Sequence, residues 1–172
     1  MGGTELQNQR EYSGAYSLTT SSMRLFVSIT VCLGAAGLGS LLTTSALRPW
    51  YVGLSKPRWT PPNWLFGPVW TILFMAMAIA AWLVWRKVGL TAAPMQLFLL
   101  QLSLNVTWSA LFFRLRSPGL AFAEIVLLWF AILATSIEFW RVVPAAGWLL
   151  LPYLIWVSYA VALNCSIWWL NA

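Results

Sequence analysis

The sequence predicts an all-α integral membrane protein, a bundle of five transmembrane helices with a long Pro- and Trp-rich loop between helices 1 and 2. Two observations carry this prediction. Of the 172 residues, 60% are hydrophobic and only 8% are charged, whereas a soluble domain has roughly 25% charged residues. The apolar residues also form five runs of about 20 residues, the length that a helix needs to cross the hydrocarbon core of a bilayer.

The chain divides into a polar extension and one transmembrane domain. Residues 1–22 are rich in Ser, Thr, Gly and Gln and show no hydrophobic period, so we expect them to be disordered. Residues 23–172 form the five-helix domain. Several spans begin with Pro near the first helical turn, where its missing N–H has no intrahelical partner to lose. The predicted spans are 24–47, 64–85, 94–113, 118–140 and 144–169.

The charged residues exclude several classes of function. The net charge is +6, but the basic residues are dispersed between apolar runs, so we expect no nucleic-acid binding. The sequence has no His and no Asp, which removes His-ligated zinc or haem and Ser-His-Asp triads. Cys32 and Cys165 lie inside apolar runs and predict neither a disulfide nor a metal site.

The spans predict a multi-pass protein of a bacterial envelope or an organellar membrane. Five spans place the two termini on opposite sides. Each side carries five basic residues, so the positive-inside rule does not set the orientation.

The long loop, residues 48–63, contains four prolines and three aromatic residues. It cannot be helical throughout, and Trp50, Tyr51 and Trp59 would be poorly placed in bulk water. We expect it to fold over the helix bundle as a lid, with Trp59 near a ligand. The alternative is an ordinary loop at the level of the lipid headgroups.

Three spans carry aromatic and amide residues at helical spacing. A carboxamide in hydrocarbon must find a partner, so these faces should point into the bundle or a cavity. Together they predict an apolar pocket with a few polar groups, suited to a flat hydrophobic ligand. The alternative is packing and hydrogen bonding between helices. The faces are Phe66, Trp70, Phe74 and Met77 in the second span, Gln101, Asn105, Trp108 and Phe112 in the third, and Trp156, Ala160, Leu163 and Asn164 in the fifth.

Two further features concern the membrane interior. Glu124 lies about seven residues into the fourth span and is a candidate functional acid. Alternatively, it hydrogen-bonds to another helix or pairs with Arg114 or Arg116. In the first span, Ala35 and Gly39 form a small-xxx-small pair, which predicts a dimer seam or a seam within the bundle.

Longer motifs resemble one known family, the translocator protein or tryptophan-rich sensory protein family (TspO/MBR), also called the peripheral-type benzodiazepine receptor family. The resemblance runs in register from about residue 48 to residue 169. The segments that carry it are KPRWTPPNWLFGPVWT from residue 56, AWLVW from 81, QLSLNVTWS from 101 and PYLIW from 152.

The resemblance implies a five-helix bundle, often a homodimer, that binds porphyrins such as protoporphyrin IX and haem as ligands, with no obligatory cofactor. It also implies sterol, isoquinoline or benzodiazepine ligands in some members. By motif match, the pocket would be lined by Trp70, Asn105, Trp156 and Ala160 beneath the loop. The sterol-recognition pattern of animal members is absent, because no basic residue follows Arg141.

The function expected from these residues and this resemblance is a receptor, sensor or carrier acting in tetrapyrrole homeostasis or stress response. One alternative is an enzyme that degrades protoporphyrin under light or oxygen, with Trp70 and Trp156 as oxidisable residues. Without His, Asp or a metal site, such an enzyme would have few acid-base groups, so we expect binding and not catalysis. Another alternative is a structural partner in membrane assembly.

Overall fold

The computed structural model describes residues 19–44 and 50–172 with their side chains, and it confirms the five-helix bundle. Within these residues, five helices are long and apolar enough to cross a membrane, and the membrane-crossing part of the first is Thr19–Thr44. A π-helical turn, Ala110–Arg114, continues the third helix. The helices are α1 (Gly2–Ala46), α2 (Asn63–Val88), α3 (Ala93–Ser109), α4 (Pro118–Val142) and α5 (Pro144–Leu170).

The helix boundaries follow the Pro and Gly positions of the sequence. Proline occupies the first or second position of α3, α4 and α5, where it is pre-organised for a helix start. Helix α2 ends at Val88, and the next residue, Gly89, has a φ of +83° and donates its N–H to the Trp85 carbonyl at 2.9 Å. This end lies beyond the predicted boundary at residue 85, and the Arg86 guanidinium stacks on the Trp82 ring at 4.6 Å there.

Most of the predicted disordered extension, residues 1–18, lies outside the residues described with side chains, and its disorder stays a prediction. Residues 19–22 belong to α1. Trp82 Nε1 donates a hydrogen bond to the Ser21 carbonyl at 3.0 Å, and the Arg24 guanidinium lies 6.0 Å from the Trp85 ring centre. These contacts hold the start of the first span against the end of α2.

The helices pack around the bundle in the order α1, α2, α5, α4, α3 and back to α1. The pair α4 and α5 is closely packed, since a Cβ on Gly147 would lie 2.8 Å from the Trp140 Cβ and only glycine permits that approach. Helix α1 is peripheral: 17% of its most apolar stretch is buried, against 33–39% in the other spans. The side of the bundle that α1 forms is therefore less tightly packed than the rest.

The π-helical turn changes which residues of the third span face inward. The Leu115 N–H donates to the Ala110 carbonyl at 2.9 Å, five residues earlier. Two consecutive residues of this wider turn, Phe112 and Phe113, are buried. Two aromatic rings thus reach the bundle interior at this level of the membrane.

Candidate functional site

A cavity of about 520 Å³ lies among α1, α2, α3 and α5, within the range of small-molecule sites. Helix α4 contributes none of the described residues that line it. The lining residues are Ala36, Gly37, Gly39, Ser40, Thr43 and Thr44 of α1, Tyr51 of the loop, Asn63, Phe66, Gly67, Trp70, Thr71 and Phe74 of α2, Asn105, Trp108, Ser109, Phe112 and Phe113 of α3 and its π-helical turn, and Trp156, Ala160, Leu163, Asn164 and Ile167 of α5.

The structure brings the predicted site residues together, with one exception. Phe66, Trp70, Phe74, Asn105, Trp108, Trp156, Ala160, Leu163 and Asn164 all line this cavity. Trp59 does not. Its ring packs edge-on against Tyr159 at 5.4 Å, and its carbonyl accepts a hydrogen bond from Tyr159 Oη at 2.8 Å. Whether the lining residues contact a ligand stays a prediction.

The cavity has two unlike walls. We call the side formed by α2, α3, the π-helical turn and α5 the aromatic wall. Its rings contact one another across helices, as in the edge-on pair of Phe66 and Trp156 at 5.8 Å and the stacked pair of Trp108 and Phe112 at 5.3 Å. We call the side formed by α1 the small wall. The aromatic wall comprises Phe66, Trp70, Phe74, Trp108, Phe112, Phe113 and Trp156, and the small wall Ala36, Gly37, Gly39, Ser40, Thr43 and Thr44.

Asn105 belongs to a chain of buried hydrogen bonds that crosses three helices, which we call the relay. Asn105 Nδ2 donates to Tyr153 Oη at 2.9 Å, and Tyr153 Oη donates to Gln101 Oε1 at 3.1 Å. Gln101 Nε2 donates to Met77 Sδ at 3.9 Å. Tyr153 is not among the site residues that the sequence predicts. The available signal is its position one turn before Trp156, inside the PYLIW segment.

Asn164 has a structural part in a second network. Trp108 Nε1 donates to Asn164 Oδ1 at 3.0 Å, and Asn164 Nδ2 donates to the Pro118 carbonyl at 2.8 Å. Both ends of the amide are therefore engaged, and the residue joins α3, α4 and α5. Asn164 therefore fits the alternative in which the amide residues hydrogen-bond between helices. Its side chain also lines the cavity.

Glu124 is buried, with 7% of its surface exposed, but it lies outside the cavity lining. Within the described part of the chain, neither of its carboxylate oxygens has a hydrogen-bond partner. The ion pair among the described residues joins Glu138 and Arg141. Pairing of Glu124 with Arg114 or Arg116 is therefore not observed. A functional role for this acid stays a prediction.

The two small residues of the predicted seam point into the bundle. Ala35 belongs to the buried core. A Cβ on Gly39 would lie 3.4 Å from Ser109 Oγ of α3. Both residues thus serve the close packing of α1 within one chain, and a dimer contact through them stays a prediction.

The described part of the first loop, residues 50–62, is anchored to the bundle. Tyr51 is buried against the Phe112 and Phe113 rings at 6.3 and 5.9 Å, and burial raises the pKa of its phenol. Asn171 beyond α5 exchanges two hydrogen bonds with the Ser55 backbone at 3.0 and 2.9 Å. Because Tyr51 lines the cavity, the loop forms part of its boundary, as a lid would.

The basic residues of the loop lie close to the cavity boundary that Tyr51 forms. Lys56 Nζ donates to the carbonyls of Tyr51 and Leu54 at 2.6 and 3.1 Å, which engages its charge within the loop. Arg58 is exposed on the same loop. Among the residues that the structure describes, no group of His, Cys, Asp and Glu could hold a metal ion.

The sequence relationships agree with this architecture. Residues 26–170 match the sequence profile described as the TspO/MBR family. The chain belongs to the TspO/MBR family. It is therefore an integral, multi-pass membrane protein, in keeping with its five apolar helices.

Three relatives show the breadth of the family. The tryptophan-rich protein TspO of Chlorobaculum tepidum is 44% identical over 153 residues, which cover 87% of this chain and 96% of that protein. The translocator protein of Homo sapiens is 40% identical over 123 residues, or 69% of this chain and 73% of that protein. The tryptophan-rich sensory protein of Cereibacter sphaeroides is 37% identical, with coverages of 79% and 87%.

Proposed function

We propose that this protein is a membrane receptor, sensor or carrier that binds porphyrins, namely protoporphyrin IX and haem, in the cavity, and thereby contributes to tetrapyrrole homeostasis or stress response. One observation carries the proposal: aromatic residues from three helices line a single cavity to which α1 contributes small residues. That combination suits a flat macrocycle, because the rings offer aromatic contact and the small side chains leave space for the ligand.

The family relationship supports the same proposal. Relatives of similar length carry the names translocator protein and tryptophan-rich sensory protein, and the motifs shared with the family supply Trp70, Asn105 and Trp156 of the cavity. Arg58, exposed on the loop, is available for the propionates of a porphyrin, because a guanidinium binds carboxylates through paired hydrogen bonds.

The proposal is tested by titrating the purified protein with protoporphyrin IX in the dark. Trp70→Ala and Trp156→Ala each remove one ring of the aromatic wall. An aromatic contact contributes about 0.5–1.5 kcal/mol beyond its area burial, so affinity should fall several-fold while the fold survives. Trp64→Ala and Trp148→Ala are matched controls on the same two helices, since these rings are 71% and 58% exposed and lie off the cavity.

The proposal is wrong if both cavity variants stay folded and bind protoporphyrin as the parent does. Repeating the titration under light addresses the enzymatic alternative. A ligand that is only bound should be recovered intact. A loss of macrocycle absorption that depends on Trp70 or Trp156 would instead indicate photo-oxidative degradation.

A further inference from the structure

A second cavity lies on the outer surface of the bundle, between α4 and α5, and we call it the outer groove. It has a volume of about 320 Å³ and shares none of its described lining residues with the cavity between the two walls. Apart from Ser136 and Arg141, its lining residues are apolar. Both helices cross the membrane along this stretch, so the outer groove opens toward lipid.

The outer groove runs from the membrane interface toward the middle of the bilayer. Arg141 and Trp148 lie near the end of α4 and the start of α5, and Leu133 and Leu154 lie at the deep end. Leu133 and Arg141 are eight positions apart on one helix, a distance of about 12 Å. One leaflet of the hydrocarbon core is about 15 Å thick. The length and the apolar lining therefore fit a single acyl chain.

The deep part of the outer groove offers no free hydrogen-bond donor. Ser136 Oγ donates its hydrogen to the Ile132 carbonyl at 2.8 Å. At the interfacial end, the Trp140 and Trp148 rings pack edge-on at 4.8 Å, and tryptophan is typical of the headgroup level. A bound molecule thus finds apolar contact at depth and polar groups at the interface, which is the arrangement of a lipid.

Arg141 supplies the charge at the interfacial end. Its side chain is 69% exposed, and its Nη1 donates to Glu138 Oε1. None of the described residues accepts a hydrogen bond from its Nε or Nη2. A guanidinium carries five N–H groups and can bind a phosphate through two parallel hydrogen bonds. The free edge of Arg141 is therefore complementary to a phosphate.

We propose that the outer groove is a binding site for an anionic phospholipid, with one acyl chain between α4 and α5 and the phosphate on Arg141. The charge of this end of the bundle favours an anionic headgroup over a zwitterionic one. Besides Arg141, the described basic residues there are Arg24, Arg86 and Lys87, whereas the described acid is Glu138. The site is separate from the ligand cavity and does not depend on the function proposed for it.

Photo-cross-linking of the full chain in phosphatidylcholine nanodiscs tests the proposal. The probe is phosphatidylglycerol with a diazirine in the middle of one acyl chain, and the adducts are mapped by mass spectrometry. They should concentrate on α4 and α5 around Leu133 and Leu154. Unlabelled phosphatidylglycerol should displace the probe about fivefold more effectively than added phosphatidylcholine does.

Substitutions at the interfacial end should change the yield of these adducts in opposite directions. Arg141→Gln should lower it about fivefold, because the charge that binds the phosphate is gone. Glu138→Gln should raise it, since Nη1 is released and a negative charge is removed. Arg86→Gln is the matched control: it removes the same charge at the same end, but this guanidinium stacks on Trp82 outside the outer groove, so the yield should stay near the parent value.

Filling the deep part tests the place of the acyl chain. Ser136→Phe puts a ring into the outer groove and should lower the yield several-fold. Ala123→Phe is the control, because residue 123 is exposed on the same helix but lines neither the outer groove nor the cavity. If thermal unfolding shows that Ser136→Phe does not fold, the exposed substitution Arg141→Gln decides.

Adducts spread evenly over the five spans would mean ordinary boundary lipid only and would overturn the proposal. Equal yields in Arg141→Gln and Arg86→Gln would overturn it as well. Two other occupants give their own results. Displacement of the probe by a sterol but not by phosphatidylglycerol would indicate a sterol site, and cross-links between the outer grooves of two chains in place of lipid adducts would indicate a second copy of this protein. Either result rejects the phospholipid.

Discussion

The two walls of the cavity differ in residue type, in burial and in how the bundle holds them. The aromatic wall comes from α2, α3 and α5, which are more deeply buried than α1, and its rings contact one another, as Trp70 and Phe74 do at 5.6 Å. The small wall comes from α1, the least buried helix, where a Cβ on Gly34 or Gly37 would meet no atom within 4 Å. The difference teaches that one wall supplies contact area and the other supplies room.

The largest effect should come from filling the small wall. Gly37→Phe would place a ring in the space that a ligand needs, and overpacking of this kind typically costs about 1–3 kcal/mol. Protoporphyrin affinity should fall about tenfold or more by equilibrium titration. Gly34→Phe is the matched control, because Gly34 lies on the same helix with open space around it but does not line the cavity. Equal losses in both variants would show that the small wall is not the limiting side.

A smaller effect should follow from releasing the loop, which adds Tyr51 to the aromatic side. The double substitution Tyr159→Phe and Asn171→Ala removes its hydrogen bonds to α5 and to the residue after it. Protoporphyrin should dissociate several-fold faster with little change in association rate, since a cover chiefly sets residence time. Stopped-flow release measures this. Ser166→Ala, which removes a bond within α5, is the control, and unchanged release in the double variant would favour the headgroup-loop alternative.

The smallest effect should come from the iron of haem, because neither wall offers it a strong ligand. Cys32 and Cys165 are not among the residues that line the cavity, and Tyr51 does line it, but burial raises the pKa of its phenol and disfavours the phenolate. Haem and protoporphyrin should bind within about threefold of each other, and bound haem should lack a strong six-coordinate spectrum. A haem affinity about a hundredfold higher, lost in Cys32→Ser or Cys165→Ser, would contradict this.

The helical periodicity of the sequence was sufficient to predict the aromatic wall except for Phe113. Phe66, Trp70 and Phe74 follow one another at intervals of four residues, so they can be assigned to one face of a helix without knowledge of the neighbouring helices. The small wall was harder to interpret. Ala35 and Gly39 predicted a seam equally for a dimer and for the bundle, because small residues permit any close approach. The packing of Gly39 toward Ser109 depends on how α1 is rotated, which no local pattern specifies.

The remaining differences arise from contacts between distant segments. Among the loop aromatics the sequence predicted Trp59 near a ligand, yet Tyr51 reaches the cavity and Trp59 packs against Tyr159. Tyr153 pairs with residues about 50 positions away in the chain, so its place in the relay depends on the helix order. Phe113 is buried beside Phe112 in the π-helical turn, and a pattern read at regular helical spacing does not predict such a turn.

The exposed lining residues indicate where the cavity meets its surroundings. They lie on α1 and α2, at Gly37, Ser40 and Thr44 on one helix and Asn63, Gly67 and Thr71 on the other, within the membrane-crossing stretches. The opening thus faces lipid. For a ligand of the proposed class, the relevant concentration is its mole fraction in the bilayer, because an apolar solute accumulates there before it meets the protein. Dissociation constants expressed per litre of buffer will consequently vary with the amount of lipid, while constants expressed per mole of lipid will not.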